Sequence, residues 1–355
     1  MTLDSVKRGR GFTLIESVVA VGVMGAALVW MCTLVLNTTR LARNAERTGD
    51  TQDGARLAGD TLANDLRRAG MGAAGGIWTA AAGLSPVRVN AVYGTDGVGT
   101  DDIWMVVPDK NTFQNTTECN GVTNTASGSA TIVVADTPPG QALPVACSTN
   151  FQVGDLLLVT NMTSSALITV TALVPQTAST SGSITFLEST ATSFSDSPQR
   201  GAFAAGDMVY RVRALHYFIA PMATGLPGLF REVGKPTGDV TTPFQPPLGT
   251  PAALVQAGVE DLQVAYGLDT LGSSNPDNYT YLMGLAAGFA AGLKTVRVNV
   301  VAMSGTTMKN DDQMTMTSYA SIPQVENHVG LGYAGYQRII FSRRVELTNL
   351  APENL

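Results

Sequence analysis

Glu16 stands out among the ionisable side chains because it lies in an otherwise apolar run. Residues 12–36 form a 25-residue stretch with no other charged side chain. About 20 apolar residues are enough to cross the hydrocarbon core of a bilayer, so this stretch would place the Glu16 carboxylate in lipid. An unpaired charge there is destabilising by several kcal/mol, and a cationic partner on another chain would neutralise it. The chemistry that Glu16 indicates is therefore charge pairing between subunits.

Residue patterns for catalysis or metal binding are missing from the sequence. His216 and His328 are the only histidines, and no His-x-x-x-His, Cys-x-x-Cys or Gly-x-Ser-x-Gly motif accompanies them. Both histidines are interpreted as structural. Residues 94–102, G-T-D-G-V-G-T-D-D, lack the ligand order of a calcium loop and the strand-to-helix context of a phosphate loop. We interpret them as a hairpin turn and predict no enzyme, no metal and no cofactor.

The composition narrows the class of protein further. Of 355 residues, 45% are hydrophobic and only 14% charged, and there are 37 glycines. These values argue against a disordered chain or a coiled coil and favour a β-rich exported protein. The formal net charge of -6 argues against nucleic acid as a partner. A chain of this length can bury its own core without metals or disulfide staples.

The charges before the apolar run predict its orientation in the membrane. Lys7, Arg8 and Arg10 lie within the first eleven residues, opposed only by Asp4. Because basic residues mark the cytoplasmic side, we expect a single span at residues 12–36 with its amino terminus inside and the rest in the periplasm. No small-residue cleavage site follows the run.

After the apolar run, residues 37–69 have the pattern of an amphipathic helix. Apolar residues recur at three- and four-residue spacing, as at Ala58, Leu62 and Leu66. We predict one helix over residues 12–69, roughly 85 Å long, which Gly49 and Gly54 could kink. It should end at the glycine-rich residues 70–76.

The charged residues near the end of this helix have two interpretations. We favour a solvated helix face over a specific subunit contact. The residues concerned are Asp60 with Asn64 and Arg67, and Asp65 with Arg68.

The remaining chain has the pattern of an antiparallel β-rich body. Residues 151–159 and 203–212 share a Gly-Asp turn before a strand and could belong to one sub-sheet. Polar residues at 296–301 are expected to face outward. Strands are predicted at residues 87–93, 103–107, 130–135, 156–160, 167–174, 184–187, 208–212, 215–220, 229–233, 259–266, 295–303 and 339–347.

A proline-rich stretch divides this body in the sequence. Residues 221–251 separate a β-rich part at 70–220 from the last hundred residues, so that 221–355 form a connection and a carboxy-terminal β-rich part. Residues 282–293 are apolar but too short to span a bilayer. We favour a buried short helix or packed loop there, with an exposed subunit interface as the alternative.

The three cysteines have different expected roles. Cys32 lies in the predicted span and is interpreted as inert packing. Cys119 and Cys147 lie in the exported part, where an oxidising compartment favours a disulfide between them. Such a bond would contribute about 3–4 kcal/mol in the chain-entropy treatment. Two free thiols are the alternative.

The start of the chain resembles a known processing signal. R-G-R-G-F-T-L-I-E, residues 8–16, resembles the type III signal of type IV prepilins. The resemblance implies a leader at residues 1–11, cleavage between Gly11 and Phe12, and N-methylation of Phe12. It also implies that Glu16 pairs with the terminal amine of a neighbouring subunit. The alternative is a signal-anchor helix whose Glu16 lies near the membrane interface.

Other segments look like PilW-type minor pilins. They are A-R-L-A-G-D-T-L-A-N-D-L-R-R-A-G-M-G at 55–72, A-G-V-E-D-L-Q-V-A-Y-G at 257–267, L-K-T-V-R-V-N-V-V-A at 293–302 and R-R-V-E-L-T-N-L at 343–350. Residues 109–251 match no such pattern, and Thr348 stands where that family often has arginine. The resemblance implies an α+β, pilin-like fold, with one long amino-terminal helix packed on an antiparallel β-rich body.

The resemblance also implies a function and partners. We expect a minor pilin in a priming or tip complex of a type IV pilus, working with other minor pilins, the major pilin, a prepilin peptidase and a PilY-type tip adhesin in adhesion and twitching. It would reside in the inner membrane and then in the pilus at the cell surface. The alternatives are a J-type pseudopilin of type II secretion and a membrane-tethered surface receptor; Glu16 argues against a K-type pseudopilin, which lacks that carboxylate.

Overall fold

In the computed structural model, the chain forms one long amino-terminal helix packed on mainly antiparallel β-sheets. This confirms the predicted α+β, pilin-like fold. The residues that the structure describes are 13–73, 77–79, 87–97, 99–109, 122–125, 129–134, 151–160, 165–174, 182–187, 208–234, 251–271, 276, 278–281, 292–304, 324–325, 328–329, 336 and 338–347.

The helix α1 runs unbroken over Leu14–Arg68, 55 residues. At 1.5 Å per residue it is roughly 80 Å long, and Gly49 and Gly54 lie within it without ending it. Ala69 is already extended, and Gly70 and Gly72 follow with φ of 64° and 75°. Residues that carry a Cβ rarely adopt this left-handed backbone conformation. The predicted end of the helix in the glycine-rich segment is thus confirmed.

Twelve strands of the described part form the larger sheet. Its order is β12-β11-β10-β7-β8-β9-β6-β5, with β3, β4, β1 and β2 attached at its side. The strands are β1 (Ile77–Thr79), β2 (Val87–Val89), β3 (Val92–Thr95), β4 (Asp102–Pro108), β5 (Val122–Thr125), β6 (Ser129–Val134), β7 (Leu156–Thr160), β8 (Ser165–Val174), β9 (Gly182–Leu187), β10 (Met208–Pro221), β11 (Pro227–Gly234) and β12 (Ala253–Ala257).

The 14-residue strand β10 organises this sheet. It pairs antiparallel with β7 through residues 208–211, with β4 through 212–217 and with β11 through 214–221. Within the described residues, the pairing of β1 with β8 is the one parallel contact. Because side chains alternate along a strand, neighbouring residues of β10 lie on opposite faces of the sheet.

A second sheet of four strands follows in the sequence. Its order is β14-β13-β15-β18, and β16 pairs with β17 as a separate ladder. Gly258, with φ of 75°, is the single residue between β12 of the larger sheet and the first strand of the smaller one. These strands are β13 (Val259–Leu268), β14 (Asn278–Thr280), β15 (Leu293–Met303), β16 (Gln324–Val325), β17 (His328–Val329) and β18 (Arg338–Glu346).

The helix and both sheets share one hydrophobic core. Leu62 and Leu66 of α1 are completely buried in it, together with Met105 and Tyr217 of the larger sheet and Val298 of the smaller one. Full burial of a leucine side chain contributes about 1.5–3 kcal/mol. The carboxy-terminal third of α1 is thus an integral part of the body.

Most predicted strands are present, with four corrections. The predicted strands at 208–212 and 215–220 are one continuous strand, β10, while the segment 87–93 divides between β2 and β3. Six short strands of the described part were not predicted: β1, β5, β12, β14, β16 and β17. Of these, β12 follows directly on the proline-rich stretch that was interpreted as a boundary. Asn299 was expected to face solvent but is buried, because both faces of the smaller sheet are covered there.

Two further expectations concern larger units. The segments with the shared Gly-Asp turn do lie in one sheet, where β7 and β10 are direct neighbours, with Met208 opposite Thr160. The predicted boundary at residue 221 falls at the end of β10, which pairs with β11 beyond it. The division into two β-rich parts stays a prediction.

Candidate functional site

The first turn of α1 positions Glu16 through a capping box with Thr13. The Glu16 Oε2 accepts from the Thr13 backbone N–H at 3.0 Å and from its hydroxyl at 3.1 Å. In return the Thr13 Oγ1 accepts from the Glu16 N–H at 3.3 Å. This reciprocal pattern satisfies amides that would otherwise be unpaired at the helix start. Within the described residues both bonds to the carboxylate use Oε2, so Oε1 can receive a cation.

The first half of α1 carries its apolar side chains outward. Every described residue from 13 to 43 is exposed, including Trp30 at 73%. The best 18-residue window of the helix has a mean hydropathy of 2.3 and none of it is buried by the body. By length and composition this is a candidate membrane span, as predicted, and Cys32 lies on it with an exposed thiol.

Small residues let the second half of α1 approach the sheets closely. A Cβ added at Gly59 would overlap two ring carbons of Phe341 on β18. One added at Gly54 would lie 2.9 Å from the Nε2 of Gln256 on β12. The helix therefore contacts the edge strand of each sheet at a glycine.

Asp65 connects the end of α1 to the centre of the larger sheet. Its Oδ2 accepts from the Tyr217 hydroxyl at 2.5 Å and from the Arg231 Nη1 at 3.2 Å, while Arg68 lies 3.8 Å from Oδ1. Tyr217 and Arg231 are direct cross-strand partners on β10 and β11. Burial raises the pKa of Tyr217, and the nearby Asp65 carboxylate raises it further. The hydroxyl therefore keeps its proton and stays a donor.

The solvated-face interpretation was therefore wrong for Asp65, which is buried against the body. Sequence reasoning missed Tyr217 and Arg231 as its partners; the available signal was a carboxylate set between the buried positions Leu62 and Leu66. The interpretation holds for Arg67, whose Nη1 donates to Asn64 at 2.8 Å on an exposed face. Asp60 pairs with Arg56 on the same helix and with Arg343 on β18.

A second charged group adjoins the Asp65 contacts. The Asp109 Oδ2 accepts from Arg211 at 2.6 Å and from the Arg213 Nη2 at 2.9 Å. Arg211 also lies 3.5 Å from Asp155. A cavity of about 290 Å³ separates the two groups, lined by Asp65, Arg68, Val107, Pro108, Asp109, Arg213, Leu215, Arg231 and Val233.

His216 is packed in a row of rings on the sheet. Its imidazole stacks on Trp104 at 4.4 Å and on Phe218 at 4.7 Å between ring centroids. Its Nδ1 lies 3.0 Å from the Glu232 carboxylate, and its Nε2 lies 3.5 Å from Asp102. These contacts agree with the structural role predicted for this residue.

The described residues of the segment 94–102, which are 94–97 and 99–102, agree with the hairpin turn predicted from the sequence. They join β3 to β4, which pair antiparallel. Asp101 is buried, and its carboxylate accepts from the Gly97 N–H at 3.2 Å and the Val264 N–H at 2.7 Å. The turn is thereby fixed to β13 of the smaller sheet. No group of residues that could hold a metal ion occurs in the part of the chain that is described.

Several predicted positions lie outside the described residues. These are the processing residues Gly11 and Phe12, the two cysteines Cys119 and Cys147, and nearly all of the apolar segment 282–293. Cleavage, methylation and the disulfide stay predictions.

The exposed apolar first part of α1, its buried last third and the antiparallel body together agree with a pilin-like fold. Residues 216–349 match the family model described as Type IV Pilus-assembly protein W. The match covers less than half of the chain and extends from β10 to just beyond β18. It supports a PilW-type pilin, as predicted; the relation to J-type pseudopilins stays a prediction. No curated protein and no solved structure matches the chain.

Proposed function

We propose that this chain is a minor pilin of a type IV pilus, held in the inner membrane by α1 until it enters a filament. The PilW match supports a protein of type IV pilus assembly. The observation that carries the finer proposal is the apolar half of α1, which the body leaves entirely exposed. Such a surface needs either lipid or the apolar helices of other subunits around it.

In this proposal Glu16 favours the chain incorporated in the filament over the chain alone in the bilayer. Its Oε1 would receive the terminal amine of a neighbouring subunit, while Oε2 keeps its bonds to Thr13. Each charge alone in an apolar medium is destabilising, and the pair is much less so. Assembly is thereby favoured over the isolated membrane protein.

The proposed place in the filament is a priming or tip complex with other minor pilins, presenting a PilY-type adhesin for adhesion and twitching. Cleavage by a prepilin peptidase between Gly11 and Phe12 precedes entry, and the body faces the periplasm and then the cell surface. The support for these finer steps is the sequence resemblance at residues 8–16 together with the family match. The family is one of pilus assembly rather than catalysis, in agreement with a non-enzymatic role.

The experiment compares filament incorporation of Glu16→Ala with two controls. Thr13→Ala removes the side-chain half of the capping box but keeps the carboxylate, and Glu46→Ala removes an exposed carboxylate of the same helix beyond the apolar run. Sheared filaments and membranes are analysed by mass spectrometry, which also detects a peptide beginning at methylated Phe12. We expect Glu16→Ala alone to lower the filament-to-membrane ratio, with cleavage unchanged.

Three results would contradict parts of the proposal. Equal losses in Glu16→Ala and Thr13→Ala would show that helix capping, not charge pairing, matters. Normal incorporation of Glu16→Ala would remove the role of the carboxylate. Recovery of the wild-type chain only with secretion components would assign it to a pseudopilus.

A further inference from the structure

The cavity beside the end of α1 has an uneven distribution of charge. Its carboxylates lie deep, with the Asp109 and Asp65 side chains 5% and 12% exposed. Its guanidinium groups lie toward solvent, with Arg213 and Arg231 at 46% and 36%. A ligand that approaches from solvent therefore meets positive charge first.

The described lining residues also carry an excess of positive charge. Arg68, Arg213 and Arg231 face only two carboxylates, Asp65 and Asp109. This excess occurs in a chain whose formal net charge is -6. The second ion-pair group does not remove it, because Arg211 and Asp155 add one charge of each sign.

One donor in the lining has no acceptor among the described residues. The Arg231 Nε is buried and makes no hydrogen bond, although its Nη1 reaches Asp65. A buried donor without an acceptor is destabilising, so a bound acceptor would stabilise it. A planar guanidinium edge suits two oxygen atoms of one carboxylate or phosphate group.

From the rim charge, the excess of arginine and the unsatisfied Nε, we propose that this cavity binds an oxyanion, a carboxylate or phosphate group, between Arg213 and Arg231. The volume of about 290 Å³ accommodates such a group with its waters. A smaller cavity of about 170 Å³ adjoins it and shares the lining residues Arg213 and Val233. The oxyanion comes either from a free ion or from an acidic residue of a neighbouring subunit.

The first arm of the test measures binding of inorganic phosphate to the full chain in detergent by calorimetry, at constant ionic strength set with chloride. We expect one saturable site, and at least tenfold weaker binding in Arg213→Gln. That variant keeps Asp109 paired with Arg211, so the fold should persist, as circular dichroism would check. Arg56→Gln, which changes a 74% exposed arginine, is the matched control and should bind normally.

The second arm places a photo-crosslinking residue at Val233 in cells that produce filaments. Crosslinks to a peptide with an acidic side chain or terminal carboxylate identify a neighbouring subunit as the source of the oxyanion, whether or not phosphate binds. Phosphate binding without such crosslinks identifies a free ion. The proposal is overturned if neither occurs, or if phosphate binds equally to Arg213→Gln and no acidic peptide is captured.

Discussion

Asp65 shows how one side chain can join a helix to a sheet. It lies one turn from the end of α1, where it accepts from a tyrosine and an arginine on adjacent strands. The tyrosine Oη and the guanidinium lose water when they are buried, and the carboxylate replaces those hydrogen bonds. Asp65 therefore ties the helix end to two strands of the sheet, in addition to the apolar packing of Leu62 and Leu66.

We expect Asp65→Ala to lower the free energy of unfolding by about 2–4 kcal/mol, because it leaves the Tyr217 hydroxyl and Arg231 without their acceptor. Tyr217→Phe removes only a donor and should lower it by about 1–2 kcal/mol. Denaturant unfolding of the full chain in detergent measures both. Asn64→Ala, at an exposed position beside Asp65, should change little, and a comparable effect there would indicate a general loss of helix.

Among the described residues, four tyrosines are protected from ionisation by the fold. Burial raises the pKa of Tyr93, Tyr210, Tyr217 and Tyr266 above the ordinary value. The neutral forms are favoured in the folded state, so this stability is complete below about pH 10, the unfolded pKa, and is lost as the pH rises above it. In an alkaline absorbance titration, these side chains should ionise only as the circular dichroism of the body disappears. Tyr217→Phe should reduce the part of the tyrosinate absorbance that appears only on unfolding. Ionisation of all nine tyrosines before the body unfolds would contradict the expectation.

At the scale of elements, the contact of α1 with the two edge strands depends on missing side chains. Gly59 faces the Phe341 ring of β18, and Gly54 faces Gln256 of β12. Glycine lowers intrinsic helix stability by about 1 kcal/mol relative to alanine. Its presence at these positions is explained by the close packing, whereas nothing lies near a Cβ at Gly49.

Gly59→Val should destabilise the protein by about 1–3 kcal/mol, because the added carbons overlap the Phe341 ring. Gly49→Ala is the matched control in the same helix and should be neutral or stabilising by up to about 1 kcal/mol. Thermal unfolding compares the two variants. If adding Phe341→Leu to Gly59→Val partly restores the stability, the overlap with the ring is the cause of the loss. Equal effects of the two glycine changes would exclude that cause.

At the scale of the whole molecule, α1 has two environments. Residues 13–43 are exposed throughout, while burial by the body becomes complete from Thr51 onward at the inward-facing positions. In the proposed membrane-anchored state, this helix would hold the body at a fixed distance from the membrane surface. This arrangement gives Cys32 a use as a reporter, since it lies within the apolar half.

In intact cells, Cys32 should resist a membrane-impermeant maleimide and react after the membrane is dissolved. Thr39→Cys, three residues beyond the apolar run, is the matched position and should react from the periplasmic side. Peptide mass spectrometry assigns the label to each position. The same experiment shows whether Cys119 and Cys147 react only after reduction, as a disulfide between them requires. Labelling of Cys32 in intact cells would place this part of the helix outside the membrane.

The sequence was most informative where a local pattern determines structure. The apolar run at 12–36 predicts the exposed part of the helix, and Gly70 and Gly72 in the glycine-rich segment predict its end. The long strand β10 and the missed strand β12 depend instead on pairing with distant residues, which outweighs local propensity. For the same reason Asp65 could be identified as charged and near an apolar stripe, but not as the partner of Tyr217, which is 152 residues away.

The single-residue connection at Gly258 has a mechanical consequence. It joins β12 directly to β13, and α1 lies against the edge strand of each sheet through Gly54 and Gly59. A pull on the membrane-side end of the helix is therefore divided between the two sheets. We expect that neither sheet separates from the helix alone, because the short link would transmit displacement of one sheet to the other. The attachment should fail under tension in one step, at a force set by both contacts together.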